Sequence, residues 1–402
     1  MAASGTADRR LTIALLGSTK STHVRARARA MADRGHRVVW LTTEPAGVLG
    51  VEEIPLSGAR SLLFRAANRV SRRLGHISLD RLPLYQRLSS ALDALNPDVV
   101  HIHYAASVPA WLAAATDRHP LVVSVMGGDV LFGEQQPTTA LGRWLTREVF
   151  ESADLITAKS DHLIHALGVH GKKAMRLVWG VDLKQFRRTD PRALRKKLGL
   201  ADDVRVVLSP KILQPFYNIH LVIEAMAMVP GAVLLVTEYA ADATYKAELI
   251  ALIARLGLGD RVRFVGAIAA EEMADYYSLA AVAVAVPPSD GLPQALFEAM
   301  ACEVPNVLAN LPRYQEVVSD RESVLFVEIE PSSIARGINA LLDDPALAER
   351  IRSRGRKIAE EGANLQNEVV RFEAALYALL GKKHEKRSRL ARAAIVAGTS
   401  AF

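Results

Sequence analysis

The chain has 402 residues, half of them hydrophobic and 6% aromatic, with a formal net charge of +7 and one cysteine. That length exceeds what one core ordinarily serves, so two domains are expected. The lone cysteine excludes an internal disulfide framework and points to a reducing, cytoplasmic setting, and no apolar run reaches the ~20 residues needed to span a bilayer.

In chain order, "RRLTIALLGSTKS" carries two arginines before a short apolar run. The run alternates and breaks at Gly17, as a first buried strand does and a signal peptide does not. "STHVRARARAMADRG" predicts a helix ending at Gly35, and "HRVVWLT" the next strand. Between Arg60 and Arg87 lie seven arginines against one acid, Asp80. There "RSLLFRAANRVSRRLG" sets Leu62, Leu63, Ala66, Val70 and Leu74 broadly on one side and Arg65, Arg69, Arg72 and Arg73 on others. Such a helix reads as an element for an anionic membrane surface, or as the solvated face of an ordinary packed helix. Nucleic acid is not expected, because no aromatics interleave the charge.

"PDVVHIH", "LVVSVMGG" and "ADLITAKS" predict further strands buried on both faces, and "AMRLVWG" is expected to close the sheet. Strands alternating with helices imply a parallel, doubly wound sheet. "GVDLKQFRRTDPRALRKKLGLADD" is polar and turn-rich and reads as the interdomain connection. The pattern then restarts with strands "VRVVLS", "AVLLVTE", "RVRFVG", "AVAVAVP" and "PNVLAN", and helices between them. Three helices follow, over 334–342, 346–362 and 366–380. The fold class expected is therefore α/β, with two tandem Rossmann-like doubly wound domains and a ligand cleft between them. The boundaries expected are 1–184, 185–365, a closing helix over 366–380 that packs back near the first domain, and a basic tail over 381–402. The tail, with its cluster "KKHEKRSR", is expected to be poorly ordered.

In such folds the chemistry comes from loops that follow strands. "GSTKST" lacks phosphate-loop spacing, and no G-x-G-x-x-G occurs, so neither a P-loop NTPase nor a dinucleotide enzyme is indicated. Gly17 and Ser18 remain as a small-residue loop, either facing a ligand or simply turning. His23 reads as a cap or core histidine before it reads as a ligand. In "HIHY", His101 points into the packing, while His103 and Tyr104 stand at the strand's C-terminal end as ligand-lining candidates. In "MGGDV", Gly127 and Gly128 allow close backbone approach, and Asp129 either holds a hydroxyl or caps a helix. His101 and His103 alternate faces without an accompanying cluster, so no metal site is expected. Cys302, within the apolar run "EAMACEV", reads as a small buried hydrophobe.

"SDGLPQALFEAMA" places Asp290 in a turn and Glu298 inside the helix that follows, eight residues on, with Pro293 at the first helical position. Capping and surface charge would explain the pair of acids. So would a ligand with phosphates at the helix end and sugar hydroxyls near the carboxylates.

From "IALLGS" to the last helices, through "RGHRV", "DVVHIHY", "VVSVMGGD", "WGVDLKQF", "SPKILQPFYNIHLVIEA", "DRVRFVGAI" and above all "SDGLPQALFEAMA", the chain resembles a GT-B glycosyltransferase of family 4. The resemblance implies a nucleotide-diphosphate sugar as donor and no cofactor or metal. It implies Glu298 on the ribose, Asp290 on the transferred sugar, and Lys211 on the departing diphosphate. The amides of Leu292, Gln294 and Ala295 would face phosphate, with Gly291 and Asn218 beside them and Gly266, Ala267 and Ile268 bordering the base. Asp129 and His103 join the catalytic candidates. Gly17, Ser18, His23, Tyr104, Gly127 and Gly128 fall on the acceptor side.

Several positions depart from the family pattern. Asp290 stands where glutamate is usual, Tyr217 and Asn218 stand where a second cation follows Lys211, and 126–128 replace the usual histidine. The function expected is retaining transfer of a hexose-type unit to a glycan, lipid-linked or phosphorylated acceptor by a cytoplasmic, peripherally membrane-associated enzyme. The alternatives are a catalytically weakened binding subunit and a nucleotide-sugar epimerase of the same fold.

Overall fold

The computed structural model describes residues 9–56, 81–132 and 139–398, without the side chains of 81–82 and 382–398. Arg65, Arg69, Arg72 and Arg73, with the amphipathic helix read there, lie outside the described residues. The chain divides into two compact units. The first comprises the described residues up to Lys159, Leu163–Leu177 and the chain from Gln366 on; the second comprises Ser160–His162 and Val178–Leu365.

The first unit is built on a seven-stranded sheet of β1 (Thr12–Leu16), β2 (Arg37–Thr42), β3 (Glu52–Pro55), β4 (Val99–His103), β5 (Leu121–Ser124), β6 (Leu155–Ala158) and β7 (Ala174–Arg176). The order is β3-β2-β1-β4-β5-β6-β7, and every pair is parallel. The second has β8 (Arg205–Ser209), β9 (Ala232–Val236), β10 (Val262–Phe264), β11 (Val282–Ala285), β12 (Asn306–Ala309) and β13 (Leu325–Val327), in the parallel order β10-β9-β8-β11-β12-β13. Both are doubly wound sheets, as expected. Strand order reverses between β1 and β4 in one and between β8 and β11 in the other, and such switch points are where ligand sites form in this architecture. Of the central strands, β4 (VVHIH) and β9 (AVLLV) are buried at every residue, β9 with apolar side chains alone. The edge strands β3, which is partly exposed and acidic, and β13, three residues long, lie outside the predicted set because neither shows a long apolar run.

Three features differ from expectation. The segment after Gly180 is no free connection. Phe186, Leu194 and Leu200 are buried in the second core, residues 192–197 are helical, and Gln185 Nε2 and Thr189 Oγ1 donate to Ala270 O (2.7 Å) and Asp275 Oδ1 (2.6 Å). The last helix runs unbroken over Leu365–Gly398 rather than fraying after Gly381, since Ala, Leu, Lys and Arg past that glycine are good helix formers. The helix of "SDGLPQALFEAMA" begins at Gln294, with Pro293 as its extended N-cap rather than its first helical residue. The last helix packs on the first unit: Phe372 lies 4.8 Å from the His101 ring, and Glu373 accepts from Arg34 and pairs with His36 Nε2 at 2.8 Å.

Candidate functional site

In the second unit, Lys211 follows β8 and Asp290 follows β11, so the two strands of the switch point deliver them to one place. Lys211 Nζ lies 3.0 Å from Asp290 Oδ2, with the lysine side chain 8% and the aspartate 16% exposed. The Lys211 carbonyl accepts from Thr237 Oγ1 (2.9 Å), which fixes the loop. Asn218 adopts a left-handed conformation and donates Nδ2–H to Val286 O at 2.9 Å, tying the loops after β8 and β11 together. Tyr217 puts its ring 5.5 Å from the lysine nitrogen. Its phenol is pushed up to about 12, by burial first and the Asp290 charge second.

Around the turn, Ser289 is buried and its Oγ accepts from Arg313 Nη1 at 3.2 Å. Gly291 is buried, and Leu292 is held at φ +84°, a strained value for a bulky side chain and of the kind that gathers at functional sites. In the helix Gln294–Ala301, Gln294 and Ala295 supply first-turn amides that have no intrahelical acceptor. The Gln294 side chain donates to Gly180 O. Glu298 is half-buried and accepts from the Tyr277 hydroxyl at 3.1 Å; the Ala295 carbonyl is a longer alternative at 3.4 Å. Burial, then Glu298, raises the Tyr277 phenol well above its usual range, so it stays a donor. Gly266 (φ +75°), Ala267 and Ile268 follow β10, and the Gly266 amide donates to Glu238 Oε2 at 2.9 Å.

In the first unit, Gly17 ends β1 against His103 at the end of β4. A Cβ there would stand 3.1 Å from His103 Cβ and 3.3 Å from Val24 Cγ1, so those neighbours would have to give by a few tenths of an ångström. Ser18 is exposed, its carbonyl accepting from Ser21 N (3.1 Å). Ser21, not His23, caps the helix Thr22–Asp33, and His23 is half-buried within it. His101 lies in the packing as expected: Nε2 is 2.9 Å from Ser124 Oγ, and burial drives its pKa down to about 3. His103 is buried too, with Nδ1 3.2 Å from Arg27 Nη1. Burial, then His101, Arg27 and Lys159, holds its pKa well below the usual range, so the imidazole is neutral. Tyr104 is left-handed at φ +70° and half-buried.

Asp129 is fully buried. One oxygen accepts from Ala105 N (2.8 Å), the other from Met126 N (2.9 Å) and Gly127 N (3.0 Å). It caps no helix; the next described one starts at Ala140 with Thr139 as cap. Its carboxylate instead braces the Gly127–Gly128 loop, with Gly127 at φ +118°, against the loop after β4. Desolvation raises its pKa against the pull of those amides.

Sequence reasoning missed Arg27, Lys159, Tyr277, Arg313 and Tyr314, all buried near these positions. Arg27 had a signal: it falls on the stripe Val24, Arg27, Ala28, Met31, at spacings of 3, 4 and 7, where an apolar residue is expected. Burial lowers its guanidinium to about 9. Among the described residues no group of three or more His, Cys, Asp or Glu is placed to hold a metal ion, and no helix is long and apolar enough to cross a membrane.

The family model described as glycosyl transferases group 1 matches residues 190–358, and that described as glycosyltransferase family 4 matches residues 21–185. D-inositol 3-phosphate glycosyltransferase 2 of Catenulispora acidiphila is 28% identical over 299 residues, a match spanning 68% of this chain and 67% of that protein. Sucrose-phosphate synthase of Thermosynechococcus elongatus superimposes with a TM-score of 0.77 at 21% identity, covering 93% of this chain and 100% of that one. The Anabaena protein HepE, in complex with UDP-glucose, gives 0.75 at 18% identity over 91% of this chain and 100% of that one.

Proposed function

The chain belongs to the group 1 glycosyltransferases and has their GT-B fold, and on that premise we propose that it transfers a hexose-type unit from a nucleotide-diphosphate sugar, with retention at the anomeric carbon. The acceptor is a glycan, a lipid-linked sugar or a phosphorylated polyol. The observation that carries this reading is the Lys211–Asp290 pair at the β8/β11 switch point, beside the start of the helix that holds Glu298.

Breaking the sugar–phosphate bond leaves negative charge on the diphosphate, and fixed cations and dipoles aimed at that charge lower the barrier most. Lys211 supplies the cation. The amides of Leu292, Gln294 and Ala295 supply the helix end, which suits an anion. Glu298, oriented by Tyr277, accepts from ribose hydroxyls, and Asp290 accepts from a hydroxyl of the transferred sugar. Gly266, Ala267 and Ile268 border the base. In the first unit Gly17, Ser18, Tyr104 and Gly128 line the acceptor side, and Asp129 acts by bracing their loops. Neutral His103 keeps that surface free of a competing positive charge at its own ring. No metal takes part in this scheme, and the donor's phosphate takes up the acceptor's proton. That HepE binds UDP-glucose, and that the Catenulispora relative is named for a phosphorylated polyol, supports the substrate classes.

Glu298→Ala should abolish the thermal stabilisation given by a nucleotide or nucleotide sugar from a uridine, guanosine and adenosine panel, since a ligand that binds the folded state stabilises it by mass action. Product NMR gives the anomeric configuration. Full activity in Glu298→Ala, or an inverted product, refutes the assignment. A second reading, a binding subunit without turnover, draws on one observation: the charge of Lys211 is already paired with Asp290, and Tyr217 occupies the position of a second cation. Absence of both nucleotide binding and donor hydrolysis by the pure protein would select it.

A further inference from the structure

We infer that Tyr314 is a positioning residue of the proposed donor site, its buried hydroxyl donating to the Asp290 carboxylate and, with Lys211, holding that carboxylate toward the transferred sugar. This rests on the glycosyltransferase reading. Tyr314 is 0% exposed, and its hydroxyl has no partner within hydrogen-bond geometry among the described residues. Its neighbour Arg313 donates to Ser289 Oγ at 3.2 Å, which ties the loop after β12 to the residue preceding Asp290. The Tyr314 amide donates to Leu311 O and its carbonyl accepts from Val318 N, both at 2.9 Å, so the ring is set by two turns of the backbone. The Asp290 charge reaches this phenol: burial first, then Asp290, raises it well above the usual range, and the same carboxylate acts on Tyr217.

A buried hydroxyl left without a partner is costly, and phenylalanine would fill the space without that cost. The carboxylate beside it has acceptor capacity to spare. Lys211 engages one oxygen, and a carboxylate offers about four lone-pair directions. Lysine is a point charge with rotatable donors and gives little direction, whereas a phenol on a fixed ring gives one direction only. Asp290 is one methylene shorter than glutamate, so its orientation decides whether it reaches a sugar hydroxyl at all. Lys211 has three donors and can serve the carboxylate and a diphosphate together; the hydroxyl adds the aim.

Two measurements on the full chain test this. With tyrosines carbon-13 labelled at Cζ, the Tyr314 resonance is identified by its loss in Tyr314→Phe and followed in Asp290→Asn. The resonance should move, and its titration should begin at lower pH once the carboxylate is gone; an unchanged resonance and titration overturn the contact. This arm needs no nucleotide and stands apart from the enzyme reading. Calorimetry then compares UDP with UDP-glucose, and GDP with GDP-mannose, on wild type and Tyr314→Phe. The variant should hold the bare diphosphate as wild type does and lose about tenfold in affinity for the sugar nucleotide, the scale of one hydrogen bond to a charged group. Equal loss for both members of a pair, or no loss for either, refutes the positioning role. If wild type binds no member of either pair, the sugar-positioning role falls with the donor reading for those nucleotides, and the resonance alone decides the contact.

Discussion

Gly180→Ala should be among the most damaging single-methyl changes in the second unit. Trp179 and Gly180 are both left-handed, at φ +66° and +53°, immediately before Val181 pairs with the returning chain at Asn364. Val181 N donates to Ala363 O (2.7 Å), and Leu365 N donates to Val181 O (3.0 Å). A Cβ on Gly180 would overlap the Ala363 carbonyl oxygen and stand 2.8 Å from the carbonyl carbon of Asn364. Both are backbone atoms, so no side chain can swing aside. The left-handed conformation costs alanine about 1–2 kcal/mol. Moving Ala363 away sacrifices those two hydrogen bonds, each worth about 1 kcal/mol. The sum is about 3–4 kcal/mol. Gly257→Ala is the control: φ is +67° at a helix C-cap, but nothing lies within 4 Å of the added methyl, so only the conformational cost of about 1–2 kcal/mol applies. Urea unfolding gives both losses, and hydrogen exchange at the Val181 and Leu365 amides locates the first. Because the Gln294 side chain donates to Gly180 O, displacing that carbonyl should also loosen the first turn of the proposed donor helix and weaken nucleotide binding. Equal losses for the two alanines, or unchanged protection at Val181, would refute the steric argument.

Tyr277→Phe leaves Glu298 without its hydroxyl donor, and nucleotide affinity should fall about tenfold by calorimetry; unchanged affinity would remove Tyr277 from the site. Stability of the first unit should begin to fall as pH drops below ~6.5, the unfolded histidine value. His101 folds with a pKa of about 3 and His103 well below its usual value, so the unfolded chain binds more protons through this window. The slope approaches ~1.4 kcal/mol per pH unit per histidine. His101→Gln should flatten it, and a wild-type stability that is level from pH 7 to 5 counts against the assignment. Cys302, its thiol pushed up to about 12 by burial and then by Glu298, should resist alkylation at pH 8 until the chain unfolds; rapid labelling of folded protein contradicts this. Flotation with anionic vesicles should be seen at low salt and lost at high salt, and its absence at low salt removes the membrane proposal.

Legibility followed a physical divide. The strands could be read because parallel sheets buried on both faces demand apolar, β-branched runs, and β1, β4, β8 and β9 have them. The motif residues could be placed at strand ends because βα alternation fixes where each loop falls. What a strand or helix owes to its partners was not legible. Asp129 looked like a cap or a hydroxyl holder because its sequence neighbours are glycines; its actual partners include Ala105, 24 residues away. The connection after Gly180 looked polar because its charges outnumber its apolar residues, yet Phe186, Leu194 and Leu200 suffice to bind it to the second core. Two edge strands escaped for different reasons: β3 because a strand paired on one side need not be apolar, and β13 because three residues, though apolar, make too short a run.

The same divide explains why counting cations along the chain misjudged the environment of Lys211. A local comparison saw one lysine followed by Tyr217 and Asn218, and hence a cation missing. The fold surrounds that lysine from four strand ends: Asp290 after β11, Thr237 after β9, Tyr217 after its own β8, and the Arg313–Tyr314 pair after β12, which reaches the same turn through Ser289. Between the first and last of these groups the chain runs for about a hundred residues, which no motif spacing spans. In a doubly wound sheet the residues at a switch point are neighbours by strand order rather than by sequence. A tyrosine in the place of a cation therefore alters the chemistry only as far as the groups arriving from other strands allow. Here they bring two phenols to one carboxylate. The shortened acid thus has Lys211 on one oxygen and, by the inference above, the Tyr314 hydroxyl to aim it, an orientation that can compensate for the methylene it lacks.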